Sequence, residues 1–139
     1  MKRSLLVLAL VVFAASTAFG GVQNFGAYTM DIPAGWTAEQ DEETVIIVKN
    51  DNSVSMSITY DTLDGSSVKD AAEAYCQELN GKNLQNTELG YNFQFTGESG
   101  VESDCLVIGD ETHYALIVVT GGENAQDEVF GMIASINEK

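Results

Sequence analysis

The sequence predicts an α+β domain, a mostly antiparallel central sheet with two amphipathic helices packed on it, and three observations lead there. Val54, Met56, Ile58 and Tyr60 alternate with Ser53, Ser55, Ser57 and Thr59, a period of two that puts one strand face in a core and leaves the other wet or covered by polar contacts. From Val68 the apolar period changes to 3.6, and it does so again near Ala125. The order is therefore strands, helix, strands, helix, the arrangement of helices laid on a mostly antiparallel sheet.

The chain opens on different chemistry. Lys2 and Arg3 are a positive start, Leu5 to Ala15 an apolar core, and Ser16 to Gly20 a small-residue exit interrupted by Phe19. That order predicts a cleavable secretory signal peptide over residues 1–20, with a cut after Gly20 favoured over one after Ala18. The apolar run fades at Ser16, short of the roughly 20 residues a bilayer span needs. The first cysteine is Cys76, so no lipid-bearing Cys stands at the exit. Residues 21–139 are expected as a single exported domain, periplasmic or extracellular, with no membrane anchor after signal cleavage. No Pro-rich or Gly/Ser-rich linker, fixed-period repeat or low-complexity tract divides them.

Within that body, Phe25 to Ile32 reads as a first strand, and Ile32-Pro33-Ala34-Gly35 as a turn in which Pro33 fixes φ and Gly35 takes a positive one. Trp36 anchors the next short strand. The acidic turn Gln40 to Glu43 leads into Thr44 to Lys49, whose near-continuous Val45-Ile46-Ile47-Val48 predicts a central strand covered on both faces. Asn50-Asp51-Asn52 is a hairpin turn before the alternating strand. Ser67 and Asp70 have the spacing of a capping box, and Val68, Ala71, Ala72, Tyr75, Cys76 and Leu79 form one helical stripe that ends at Asn80-Gly81. Strand patterning returns at Tyr91, Phe93 and Phe95, continues through Cys105 to Ile108, turns at Gly109-Asp110-Glu111 and resumes from His113 to Thr120, an antiparallel meander. Gly121-Gly122 breaks the last strand and Asn124 is placed to cap a closing helix marked by Ala125, Val129, Met132, Ile133 and Ile136.

Charge narrows the partners. The full chain carries -15, and loss of the basic Lys2 and Arg3 leaves four lysines against 21 acids, or -17. Such a field repels phosphate backbones and anionic headgroups, which argues against nucleic acid and membrane surfaces and favours cationic partners or divalent ions. The acids are scattered, as solvated carboxylates that keep a secreted domain soluble would be.

The segment Tyr28-Thr29-Met30-Asp31-Ile32-Pro33-Ala34-Gly35-Trp36, the strand pair and helix behind it, and the closing strand and helix with Ile133-Ala134-Ser135-Ile136 resemble the PsbP/Mog-type superfamily. The resemblance spans nearly the whole mature chain and is that of a small exported bacterial PsbP-like or DcrB-like protein. Its sharpest motif is the Ile-Pro-x-Gly-Trp corner, which is structural. The resemblance implies a central antiparallel sheet with helices on its faces and a non-enzymatic accessory, adaptor or chaperone-like role. It supplies no binding residue, because the match lies in scaffold positions.

Cys76 and Cys105 are the one pair available for an intramolecular disulfide, and an exported chain meets oxidising conditions. Cys76 lies on the helical stripe and Cys105 inside a strand, so both can point into one helix–sheet layer. A bridge would be worth about 3 kcal/mol; the alternative is two buried thiols acting as small hydrophobes.

Catalytic patterns fail on inspection. His113 is the only histidine, at a predicted strand start, where a satisfied or exposed ring is the ordinary outcome. Gly97-Glu98-Ser99-Gly100-Val101 approaches G-x-S-x-G but has Val at the last position and a strand after it, so it reads as a turn. No C-x-x-C, H-E-x-x-H or phosphate loop occurs, and Glu123 after Gly121-Gly122 opposes an anion there. Asp41-Glu42-Glu43 and the pair Asp61 and Asp64 supply oxygens without EF-hand spacing. No catalytic, cofactor-binding or metal residue is therefore predicted. The leading expectation is a non-catalytic binding or accessory module that holds a protein or peptide partner on a sheet face or in a groove beside a helix, first of all on the Ser/Thr face of Ser53 to Tyr60. The alternatives are a structural or envelope-stress component without a small ligand and, last, a hydrolase. A deep pocket with His113 beside a carboxylate would mark the hydrolase, and an exposed aromatic or Met patch the binder.

Overall fold

The computed structural model describes residues 20–138; the predicted signal segment, apart from Gly20, lies outside the described residues. Along the chain run β1 (Gly21–Asn24), β2 (Tyr28–Ile32), β3 (Trp36–Asp41), β4 (Thr44–Lys49), β5 (Ser55–Thr62), α1 (Val68–Glu78), β6 (Lys82–Asn86), β7 (Tyr91–Thr96), β8 (Glu102–Gly109), β9 (His113–Thr120), α2 (Gln126–Ala134) and β10 (Asn137–Glu138). The strand–helix–strand–helix order and the antiparallel pairings make the fold α+β, as expected. No described helix is long and apolar enough to cross a membrane. The described residues gather into two compact units, one from residues 20–55 with 122–138, the other from 56–121.

In the first unit, β2 pairs antiparallel with β1 and β10, and β3 with β4. The strand expected from Phe25 to Ile32 starts only at Tyr28, because the Asn24 side chain accepts from the Gly26 N–H at 2.9 Å and Gly26 takes φ +95°, turning the chain there, and a further strand, β1, precedes the turn. Gly35 takes the positive φ of +91° that the Pro33 corner requires. Val45 and Ile47 of β4 are buried but Ile46 is 45% exposed, so β4 is covered on one face and its apolar run reflects β-branched strand chemistry. Helix α2 packs on β2, and the Ser135 hydroxyl, at its C-terminal end, accepts from the Asp31 N–H at 2.9 Å. Asn124 does not cap α2. It lies in a 3₁₀ turn, its amide donates to the Ser53 carbonyl, and the cap residue Ala125 offers no side-chain bond.

In the second unit the strand order is β5-β9-β8-β7-β6. The meander β7-β8-β9 is antiparallel with Phe93 opposite Cys105 and Cys105 opposite Val118. Helix α1 starts with the predicted capping box: the Ser67 hydroxyl accepts from the Asp70 N–H and the Asp70 carboxylate from the Ser67 N–H. It lies on β7 and β8, where Leu63, Ala72, Phe93, Cys105, Val107 and Tyr114 are buried together. Tyr114, Ala115, Ile117 and Val119 are all buried, so two-sided burial falls to β9. Ser103, the one buried polar or charged residue besides tyrosine among the described residues, meets Thr120 across the ladder with hydroxyls 2.7 Å apart. Strand β6 has no apolar alternation; every residue is exposed, and a register shift between Lys82 and Gln85 accompanies Asn83 at φ +60°.

Candidate functional site

On α1, Ala71, Ala74, Tyr75 and Glu78 are three or four residues apart and so fall on one face. With Thr62 at the end of β5, Ser66 before the helix and Tyr114 on β9, they line a shallow, open cleft of about 370 Å³. That is within the roughly 300–1,000 Å³ of small-ligand sites. The Tyr75 and Tyr114 rings lie 6.0 Å apart, tilted by 51°, with their hydroxyls hydrogen-bonded at 2.8 Å. Ser66 donates to the Leu63 carbonyl at 2.7 Å, and Thr62 donates to the Asp64 carboxylate at 3.0 Å. Glu78 is the single charged residue of the lining, and it is exposed.

This is a groove beside a helix, but it is not where the sequence first directed attention. Along the Ser/Thr face of β5, Ser55 is exposed while Ser57 and Thr59 are half-buried, and the cleft begins only at Thr62. What the sequence did not reveal is Tyr114 as partner of Tyr75. Both tyrosines were legible as strand and helix residues, but their meeting depends on pairing 39 positions apart.

His113 stands outside the cleft lining. Its ring stacks on Tyr60 with centroids 5.3 Å apart, its Nδ1 bonds the Thr112 hydroxyl at 2.9 Å, and the Asp110 carboxylate accepts the His113 backbone N–H. The Asp110 carboxylate thus organises a turn. Gly97 to Val101 forms the turn expected of it, with the Gly97 N–H donating to the Val101 carbonyl at 2.9 Å. The Asp61 carboxylate accepts the Thr62 backbone N–H, and among the described residues no three His, Cys, Asp or Glu side chains are grouped to hold a metal ion.

Cys76 and Cys105 are both free thiols, so the expected disulfide is not formed in this structure. Cys105 is buried in the α1 layer and Cys76 packs against that same cluster half-exposed, each as a small apolar side chain. Burial, helped by the neighbouring Asp104 charge and by Cys76, pushes the Cys105 thiol up to about 12.

In the first unit, the Trp36 indole donates to Glu128 Oε2 at 3.0 Å, and Lys49 Nζ lies 3.0 Å from Glu128 Oε1 and 5.3 Å from the Trp36 ring centre. These contacts tie the corner motif to the first turn of α2. The Trp36 and Lys49 hydrogen bonds hold the Glu128 carboxyl below its ordinary value.

An α+β scaffold with a helix-side cleft is what these residues define, and its fold is PsbP-like. The solution structure of cyanobacterial PsbP (CyanoP) from Synechocystis sp. PCC 6803 is similar at a TM-score of 0.58 and 10% identity, over 93% of this chain and 98% of that one. A crystal structure of a Bacteroides thetaiotaomicron VPI-5482 protein is similar at a TM-score of 0.56 and 16% identity, over 81% of this chain, which spans 45% of that protein's length. No protein-family model matches the sequence, and no curated protein sequence is similar to it.

Proposed function

We propose that the protein is a small exported, acidic, non-catalytic binding or accessory module that holds a protein or peptide partner in the α1 cleft. The observation that carries this reading is the cleft itself: a helix face of small residues, Ala71 and Ala74, set beside the Tyr75–Tyr114 pair. Small residues admit a side chain from outside, and the paired hydroxyls leave ring surface for it to cover. His113, which beside a carboxylate in a deep pocket would have marked a hydrolase, contributes nothing to the lining. The PsbP-like fold fits an accessory role by analogy. Exposed Met or clustered aromatic surface does not add to the case: Met30, Met56 and Met132 are buried, and Phe130 is the one exposed aromatic among the described residues.

The test is affinity capture from the native envelope fraction with the mature chain and its Ala74→Arg variant, which fills the cleft from an exposed helix position. A partner retained by the native chain and lost by the variant is expected. The same proteins retained by both, or none by either, would rule the cleft out as the binding site. Export is checked on the same material, since N-terminal sequencing should begin at Gly21, or at Phe19 for the other cut.

A further inference from the structure

We infer that the α1 cleft receives a lysine- or arginine-bearing segment of its partner polypeptide. This rests on the cleft being the binding site and adds what it recognises. Three features of the lining point to one ligand chemistry. Ala71 and Ala74 present a strip on which an aliphatic stem can lie, while Tyr75 and Tyr114 turn ring surface toward the same space. Tyr75 is half-exposed, and its ring offers π-surface that favours a cation. Glu78, the last residue of α1, then gives the cleft its one formal charge, and Asp64, outside the lining, accepts from the hydroxyl of the lining residue Thr62.

A long basic side chain matches this sequence of surfaces: apolar stem over the alanines, cationic head at the wet, acidic rim. An acidic segment would set carboxylate against Glu78 in a chain of net charge -15. A neutral apolar segment would cover Glu78 without pairing it. Lys69, the lysine of α1, is not among the lining residues and offers the site no internal counter-ion.

The test is fluorescence anisotropy on the mature chain with two labelled short peptides, one alternating Ala and Lys, the other Ala and Gln, at physiological salt. Glu78→Gln is expected to weaken the lysine peptide about fivefold, the scale of one exposed charge pair. Glu73→Gln removes the same charge from the same helix outside the cleft lining and is expected to change affinity less than about twofold. Equal losses in the two variants would mean diffuse attraction to an acidic surface and would overturn the inference, as would no binding of the lysine peptide by the native chain. If the glutamine peptide binds as tightly as the lysine one and Ala74→Arg abolishes both, the cleft stands and its basic ligand falls. If Ala74→Arg leaves both peptides bound, the cleft itself falls.

Discussion

Trp36 and Glu128, 92 positions apart in sequence, meet through a 3.0 Å hydrogen bond from a nearly fully buried indole to a carboxylate in the first turn of α2. Lys49 completes the arrangement by bonding the other oxygen. Glu128→Ala would leave a buried indole N–H without its acceptor, a loss of about 1–3 kcal/mol. Glu128→Gln keeps an amide oxygen for Trp36 and should cost less, about 0.5–1.5 kcal/mol. Urea denaturation followed by Trp36 fluorescence orders the two variants.

The same contacts set a pH dependence. Because the folded carboxyl of Glu128 lies below its ordinary value of 4.5, its contribution is fully present above that value and is lost as pH falls through the folded value. Hydrogen bonds to Ser53 lower Asp51 as well, so it acts in the same direction. The stability gap between the native chain and Glu128→Gln should therefore be constant near neutrality and close in acid. Denaturant midpoints measured through the acid range check this, and a gap that widens in acid would contradict it.

Cys105, with its thiol raised to about 12, should resist alkylation at mildly alkaline pH, leaving half-exposed Cys76 to react first. Mass spectrometry after N-ethylmaleimide treatment is expected to show one adduct on the folded chain, at Cys76, and two after denaturation.

Two glycines should respond oppositely to alanine. A Cβ at Gly81 would sit 2.5 Å from Phe93 Cδ2 and 2.9 Å from Cys76 Sγ, so Gly81→Ala overpacks the layer beneath α1 at a cost of about 1–3 kcal/mol. Gly131 lies inside α2 with open space where its Cβ would be, and Gly131→Ala should stabilise by about 0.5–1 kcal/mol. Thermal melts of the two variants should move in opposite directions.

Tyr75→Phe removes one hydroxyl of the cleft pair and should cost about 0.5–1.5 kcal/mol, with an unchanged denaturant slope. A lower slope would mean that the change reaches beyond the cleft.

How much of this was legible follows from the range of each interaction. The capping box of α1, the left-handed Gly35 and the β7–β9 meander rest on neighbours in sequence or on strong alternation, and all stand as read. The two-sided strand was misplaced because Val45 to Val48 and Ala115 to Val119 are both apolar runs. What separates them is cover on the second face, which composition does not encode: Ile46 is left exposed, whereas Tyr114 and the adjacent Ala115 are both buried. The Asn124 cap failed because the chain enters α2 through a 3₁₀ turn that takes in Asn124 and makes Ala125 the cap residue. Of the helix half of the cleft, Ala71 and Tyr75 lay on the stripe read from the sequence, but Ala74, Glu78 and the floor at Tyr114 did not follow from it.

Strand β6 escaped the sequence reading for a reason that bears on how the molecule keeps to itself. Lys82-Asn83-Leu84-Gln85-Asn86 ends its row of strands with an open flank, yet the left-handed Asn83 and the register shift beside it break the even row of N–H and C=O groups that another chain would need as a template. Lys82, held 2.8 Å from Glu102, places a pair of opposite charges at the same margin. The irregularity thus works against edge-to-edge aggregation, a safeguard that operates even where salt has screened the acidic surface.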